Sequence, residues 1–236
     1  MSKVLVFTPT FNEYKNIKKL IDKVNLLKAK LSILIIDDNS TDGTILQIKK
    51  LKKKYKNIKL IVRNQQLGIG SAHYLAFKYA VKKKYNFLIT LDSDLSHNPK
   101  DIDKFLKFKN KFDFVIGSRF CFKGHSELKG FRGLISKFGN IILKKIVNEN
   151  LTEFTTSYRL YNRKVLQYLL KKKLNYSGYS FFMNIVFEIT QKKFRVREIP
   201  IIFSKRKYGT SKMPNYQIIL AMINLFYLII RKITNN

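Results

Sequence analysis

Five short apolar runs divide the first half of the chain, at residues 4–8, 32–36, 59–62, 87–91 and 114–116, and each ends in a polar tip. Between them lie stretches with the spacing of amphipathic helices. Residues 16–27 place Ile17, Leu20, Ile21, Val24 and Leu27 on one face. Thr41-Asp42-Gly43-Thr44 opens a second helix carrying Ile45, Ile48 and Leu51, and Gly70-Ser71-Ala72 opens a third with Leu75, Ala76, Tyr79 and Ala80 turned inward. Asn98-Pro99 starts a fourth, with proline in the first turn, where its missing N–H is not needed. A strand that reads as a continuous apolar run is covered on both faces, and strands separated by helices run parallel. The chain is therefore predicted to be α/β, with a mostly parallel central sheet and helices on both faces.

The second half is less regular. The sequence predicts a Gly- and Lys-containing loop over 120–132, helices over 134–147, 164–170 and 181–190, strands over 158–161 and 195–203, and a basic loop over 204–212. Residues 216–230 are almost wholly apolar. That is short of the ~20 apolar residues a membrane span needs, and it contains Gln217 and Asn224. This tail reads as an interfacial, packing or dimer helix. The run at 4–9 is too short for a signal-peptide core, so a cytoplasmic protein is expected.

Composition narrows the classes. Nearly half the residues are hydrophobic (45%), with 19 Phe and 13 Tyr, which excludes a disordered chain. A single cysteine, Cys121, excludes an internal disulfide and a cysteine-based zinc site. Lys plus Arg number 47 against 15 Asp plus Glu, a formal charge of +32, which draws the chain to polyanions: nucleic acid, an anionic membrane surface or phosphorylated substrates. The lysines are spread in short runs along the whole chain, as a compositional bias would spread them. No zinc, RNA-recognition or helix-turn-helix pattern accompanies them, so nucleic acid is not an expected partner.

An open α/β sheet binds ligands beyond the carboxyl ends of its strands, so the polar tips are the candidate site. Asp92-Ser93-Asp94 follows the fourth run, and residues two apart on an extended segment point the same way. Two carboxylates so placed gain by binding a hard cation, Mg2+ or Mn2+, which can grip a diphosphate; capping of the helix near Pro99 is the structural alternative. Asp37-Asp38-Asn39-Ser40 either makes a turn or aims a carboxylate at a nucleotide's base or ribose. Leu67-Gly68-Ile69-Gly70-Ser71 lacks the lysine and the glycine spacing of a phosphate loop and is expected to pack the helix start on the sheet. Gly117-Ser118-Arg119 puts a guanidinium on the same rim, and Arg132, Arg206 and Lys212 add cations suited to phosphate groups. His73, His97 and His125 have no ligand spacing.

Read in order, these tips resemble glycosyltransferase family 2, and within it the polyprenyl-phosphate (dolichyl-phosphate) mannosyltransferase branch. The matching stretches are Pro9-Thr10-Phe11-Asn12-Glu13, Asp37 to Thr44, Asp92-Ser93-Asp94-Leu95-Ser96-His97, Gly117-Ser118-Arg119, Thr156-Ser157-Tyr158-Arg159-Leu160-Tyr161, Gly178-Tyr179-Ser180-Phe181, and Glu198-Ile199-Pro200 running on to Arg206 and Gly209-Thr210-Ser211-Lys212. The resemblance implies a GT-A nucleotide-sugar-binding fold: a catalytic domain over 1–212, with a nucleotide-sugar half (1–119) and an acceptor half (120–212), followed by a C-terminal apolar helix in 213–236. It implies that Pro9, Phe11, Glu13, Ile36 and Asp38 hold the nucleoside. Asp92, Ser93 and Asp94 would hold the diphosphate and a Mg2+ or Mn2+ ion, with Ser96 beside the metal where Gln is usual. Arg119, Arg206 and Lys212 would hold phosphates, and Arg132 would steer the acceptor. Glu153, Thr156, Phe182 and Asn184 depart from the branch's usual Asp, Gly, Gln and Glu.

The implied reaction is inverting transfer of a hexose, mannose from GDP-mannose, to a polyprenyl phosphate, with Asp94, Arg119 and Arg206 as the catalytic set. A UDP-sugar donor or a glycan acceptor is the alternative on the same fold. The implied partners are the nucleotide sugar, the lipid phosphate and a membrane surface, with a homo-oligomer or a small anchoring subunit as further options, and the implied location is the cytosolic face of a membrane.

Overall fold

The computed structural model describes residues 2–128, 130–172, 174, 178, 180–210 and 216–234, without the side chains of Phe131 and Arg132. Its first half follows the predicted alternation: β1 (Val4–Thr10), α1 (Tyr14–Asn25), β2 (Leu31–Asp37), α2 (Thr44–Lys54), β3 (Ile58–Val62), α3 (Ile69–Lys82), β4 (Phe87–Thr90), a 3-10 turn at Pro99–Asp101, α4 (Ile102–Phe108) and β5 (Phe114–Ser118). Then come β6 (His125–Ser126), α5 (Gly130–Ile146), β7 (Arg159–Asn162), α6 (Arg163–Leu170), α7 (Phe181–Gln191), β8 (Val196–Pro200), β9 (Ile202–Phe203) and α8 (Tyr216–Thr234).

Seven strands form one sheet in the order β3-β2-β1-β4-β7-β5-β8. All neighbours are parallel except β7, which runs antiparallel between β4 and β5. The predicted strand over 195–203 divides in two. At Ile201 the chain leaves β5, its N–H donating to Ser118 O at 3.0 Å and its carbonyl accepting from His125 N at 3.0 Å, and β9 pairs with β6 instead. This switch lifts the following basic segment off the sheet edge and over the strand tips.

The two-residue period of the strands sorts the core into two layers. Val4, Val6, Ile33 and Ile35 pack with Ile17 and Leu20 of α1, Ile48 of α2 and Phe105 of α4. Leu5, Phe7, Leu34 and Ile36 pack on the other face with Ala76 of α3, Leu166 of α6, Phe187 of α7 and Leu228 of α8. The strand order reverses at β1, whose neighbours are β2 and β4, and the crevice at that reversal is where such sheets bind ligands.

Candidate active site

The tips of β1 and β2 are locked to each other. Asp37 accepts from Thr10 Oγ1 (2.7 Å), Ser40 N (2.7 Å) and Ser40 Oγ (2.7 Å), so it makes the turn. Asn12 and Asn39 take left-handed φ values of 54° and 62°, which asparagine tolerates. Asp42, just before the Gly43 N-cap of α2, accepts from Thr44 N at 3.0 Å and from Tyr14 N at 3.0 Å, which ties the start of α1 to this turn. Asp38 points the other way, into the crevice. Its carboxylate accepts from the Arg63 guanidinium, from Leu67 N at 3.2 Å and from Gly68 N at 3.1 Å. The amides of the glycine-containing loop therefore face a carboxylate of the protein itself. Gly68, at φ 83°, supplies the backbone turn that presents them.

Beyond β4 the acidic pair is held by three independent anchors. Leu95, between Asp94 and Ser96, sits at φ 66°, a strained conformation for a leucine that persists because its surroundings fix it. Ser96 N donates to Asp94 Oδ1 at 2.9 Å, and Ser204 N donates to Ser96 O at 2.9 Å. Asp92 accepts from Ser157 Oγ at 2.6 Å, and its own N–H donates to His97 Nδ1 at 3.2 Å. The His97 ring is buried against Tyr158 and Phe203. Burial pushes its pKa down, which keeps Nδ1 available as an acceptor. Desolvation raises the Asp92 carboxyl, with Asp94 adding to the rise and His97, Ser157 and Arg206 opposing it.

Two arginines complete the rim, and each already has a carboxylate. Arg119 donates through Nε to Glu153 Oε2 (2.7 Å) and through Nη2 to Glu153 Oε1 (2.9 Å) and Thr155 Oγ1 (2.8 Å). Burial would raise the Glu153 carboxyl, but Arg119 and the Thr155 hydrogen bonds outweigh it and hold it below its ordinary value. Arg206 reaches down from the segment after β9. Its Nε and Nη2 lie 3.1 and 3.0 Å from Asp94 Oδ2, and its Nη1 donates to Glu13 Oε1 at 2.9 Å. Burial raises the Glu13 carboxyl despite hydrogen bonds from Asn16 and Arg206.

These groups share one cavity of about 900 Å³, within the range of ligand pockets. Of the residues predicted from sequence, Pro9, Phe11, Glu13, Asp38, Asp92, Ser93, Asp94, Ser96, Arg119 and Arg206 all line it. Ile36 is different. Its side chain is fully buried in the layer under the sheet, with Leu34 and Phe7, and the pleat that puts Asp37 and Asp38 at the tip leaves it no face on the cavity. Lys212 and the Arg132 side chain lie outside the described residues. Phe182 also lines the cavity, whereas Asn184 is buried within α7.

Sequence reasoning missed Arg63, the pairing of Glu153 with Arg119 and the anchoring part of His97. Arg63 directly follows the third apolar run, a strand-tip position like that of Asp38, and this was the available signal. The resemblance singled out Glu153, but its partner Arg119 lies 34 residues away and nothing local marks that pairing.

No cluster of three or more His, Cys, Asp or Glu suited to a metal ion occurs among the described residues. The donors that do converge are hard carboxylate oxygens, Asp92 and Asp94. That set fits Mg2+ or Mn2+, which bind through one or two carboxylates and complete their shell with water and phosphate oxygens.

The residue pattern that defines glycosyl transferase family 2 matches residues 5–170. The chain belongs to that family. It is 29% identical over 226 residues to the polyprenol monophosphomannose synthase of Mycolicibacterium smegmatis, covering 94% of this chain and 85% of the relative. It is 27% identical over 224 residues to the undecaprenyl-phosphate mannosyltransferase of Micrococcus luteus, covering 94% and 92%. Among solved structures it resembles glucosyl-3-phosphoglycerate synthase of Mycobacterium tuberculosis, held with Mn2+, UDP and glucosyl-3-phosphoglycerate (TM-score 0.70, 14% identity, 96% of this chain and 80% of that one). It also resembles a Pyrobaculum calidifontis mannosyltransferase with GDP-mannose and Mn2+ (TM-score 0.63, 15% identity, 98% and 73%). The family-2 glycosyltransferase has the GT-A fold that the resemblance implied.

Proposed function

We propose that this glycosyltransferase moves mannose from GDP-mannose to a polyprenyl phosphate with inversion at the anomeric carbon. The observation that carries the reading is the kinship over 94% of the chain with two enzymes named for mannose and polyprenyl phosphate. The cavity supports it, because carboxylates, guanidinium groups and an apolar wall meet in one space.

The donor's nucleoside lies against Pro9, Phe11 and Glu13, beside a wall set by Asp38 and Arg63. Its diphosphate lies over Asp92, Ser93 and Asp94, which would hold the Mg2+ or Mn2+ ion. When bound, that ion supplies Lewis-acid stabilisation of the leaving diphosphate. Arg206, beside Asp94, faces the position where the leaving oxygen gains charge, and a preorganised guanidinium there lowers the barrier without reorganisation. A phosphate oxygen of the acceptor forms the new bond to the anomeric carbon while the bond to the nucleoside diphosphate breaks and its electron pair leaves with that group. A phosphate monoester is largely dianionic near neutrality, given a second pKa of about 6 as in phosphoserine, so the nucleophile needs no base. The site agrees: His97 is buried and bonded, Glu153 is held by Arg119, and Glu13 by Asn16 and Arg206.

The acceptor's lipid enters from the side where Tyr216, Gln217 and Ile218 of α8 and Ile135 of α5 line the cavity. The two helices touch, and each exposes large apolar side chains. Phe138 is 69% exposed, Phe226 65% and Ile230 58%, and lysines and arginines border them at Lys137, Lys144, Lys145, Arg231 and Lys232. By length and composition α8 is one helix apolar enough to cross a membrane. Its ties favour lying flat on one: Leu228 is fully buried in the core, and Arg231 Nη2 donates to Glu188 Oε1 at 2.9 Å. A basic, aromatic-bearing face of this kind binds anionic lipid surfaces on the cytosolic side.

The test is a thermal-shift panel of GDP, UDP and ATP with and without Mn2+, followed by transfer onto a short polyprenyl phosphate and sedimentation with anionic vesicles. GDP-selective, Mn2+-dependent stabilisation with mannosyl transfer is expected. UDP selectivity would replace the donor assignment. Undiminished vesicle binding by a Phe226→Glu, Ile230→Glu protein would remove the membrane contact, and loss of a dimer in that variant would assign the face to a second copy instead.

A further inference from the structure

Arg206 occupies a place that the proposed metal site also claims. Its guanidinium makes two contacts with one oxygen of Asp94, at 3.0 and 3.1 Å, and one with Glu13 Oε1, at 2.9 Å. Both carboxylates are buried, and a pair of buried anions facing one cavity is costly without a compensating cation. Arg206 is that cation here. Oδ1 of Asp94 accepts from Ser96 N, and Arg206 covers Oδ2, so a metal held through Oδ2 or through both oxygens meets the oxygen that Arg206 occupies. A divalent ion bonded to it would meet a guanidinium bonded to the same atom, and the two positive charges repel at that range.

The two carboxylates are not equivalent anchors. Glu13 sits at the start of α1, with its N–H donating to Thr44 Oγ1 at 2.9 Å and its second carboxylate oxygen accepting from Asn16 at 2.6 Å. Its remaining oxygen accepts from Arg206 Nη1. Asp94 is the carboxylate that the cation needs. One guanidinium can therefore give up Asp94 and stay on Glu13, with its Nε and Nη2 donors turned to a new anion.

We propose that Arg206 is a resident counter-ion exchanged at Asp94 for a divalent cation, and that Glu13 is the positioning residue that retains it beside the incoming diphosphate. This deepens the proposed function and rests only on its nucleoside-diphosphate part. The exchange makes metal and nucleotide bind cooperatively. Metal alone must displace Arg206 from Asp94 and leaves its Nε and Nη2 donors without an anion, although Nη1 stays on Glu13 Oε1 and Thr210 O, whereas metal plus diphosphate takes Asp94 and gives those donors a phosphate. Such linkage is reciprocal and ordinarily amounts to about 5–150-fold. It also discourages the enzyme from filling its carboxylates with metal when no donor is present.

The test reads Mn2+ binding without turnover, by the loss of the free-ion paramagnetic signal during MnCl2 titration of the full chain, first alone and then with saturating GDP or UDP. In the parent protein, nucleotide should tighten Mn2+ at least about fivefold, the low end of ordinary coupling. In Arg206→Gln, Mn2+ alone should bind about tenfold more tightly than to the parent, and the tightening by nucleotide should largely vanish. Arg206→Lys keeps one positive charge and should return Mn2+ affinity toward the parent's. Glu13→Gln should bind Mn2+ alone like the parent or more weakly while losing the coupling, the signature of a lost retainer. Arg206→Gln that binds Mn2+ alone no better than the parent, or Arg206→Lys that binds as tightly as Arg206→Gln, overturns the exchange. Because no sugar or lipid enters the titration, a wrong sugar or acceptor leaves this result untouched. Far-UV circular dichroism checks that each variant is folded, and an unfolded Arg206→Gln protein transfers the decision to the Lys and Glu13 variants.

Discussion

Replacing Glu153 by glutamine removes one charge and almost no volume. The carboxylate is fully buried and accepts five hydrogen bonds: from Arg119 Nε (2.7 Å) and Nη2 (2.9 Å), Thr155 N (3.0 Å) and Oγ1 (2.9 Å), and Thr156 N (3.1 Å). A glutamine amide keeps one acceptor oxygen and turns an NH2 toward donors, and Arg119 is left with a buried charge. Breaking a buried pair from one side costs about 3–5 kcal/mol. At about 2–4 °C per kcal/mol for a chain of this size, the melting temperature should fall by roughly 6–20 °C. The effect has a pH window. The Glu153 carboxyl is held below its ordinary 4.5, so the folded state gains the full stabilisation above that pH and loses it as pH falls through the depressed value. The gap in melting temperature between parent and variant should therefore be full at pH 7 and narrow progressively below pH 4.5. Thermal unfolding followed by circular dichroism at pH 7, 5 and 4 measures both. A gap under about 3 °C at pH 7, or one that widens on acidification, would refute the reasoning.

Asp94→Asn should lower turnover at least about 100-fold, as expected when charge stabilisation at a leaving group is removed, with the melting temperature retained; steady-state transfer assays beside thermal unfolding check it, and near-parent turnover would remove Asp94 from the reaction. Arg63→Met should raise the KM for the nucleotide sugar about tenfold with a smaller change in kcat, because a charge-assisted hydrogen bond worth about 1.5–3 kcal/mol shapes the wall at Asp38 and Gly68; an unchanged KM would assign Arg63 to stability alone. Leu228→Ala, in the fully buried position that seats α8, should cost about 2–5 kcal/mol of stability by denaturant unfolding, and a loss under about 1 kcal/mol would mean that α8 is not part of the core.

Much of the fold was legible because its signal is local. The runs at 4–8, 32–36 and 87–91 are continuous where a sheet is covered twice, and they became β1, β2 and β4 within two residues at either end. The acidic pair was legible for the same reason: a strand places its tip, and Asp92 and Asp94 needed only β4 beneath them. The expected strand over 195–203 misled because its break at Ile201 depends on Ser118 and His125, more than 70 residues away. Ile36 misled in another way. Its place beside the Asp37-Asp38 tip is a matter of sequence, but the face its side chain takes is decided by the pleat, which buries it.

By itself the sequence determined the α/β alternation, the crossover helices and the carboxylates at the strand ends, since apolar periodicity acts over a few residues. The pairing of charges was decided by tertiary structure alone. Which arginine meets which carboxylate (Arg63 with Asp38, Arg119 with Glu153, Arg206 with both Glu13 and Asp94) depends on chain segments 25 to 193 residues apart being brought to one rim. Coulombic attraction reads distance in space, and only the folded sheet sets that distance.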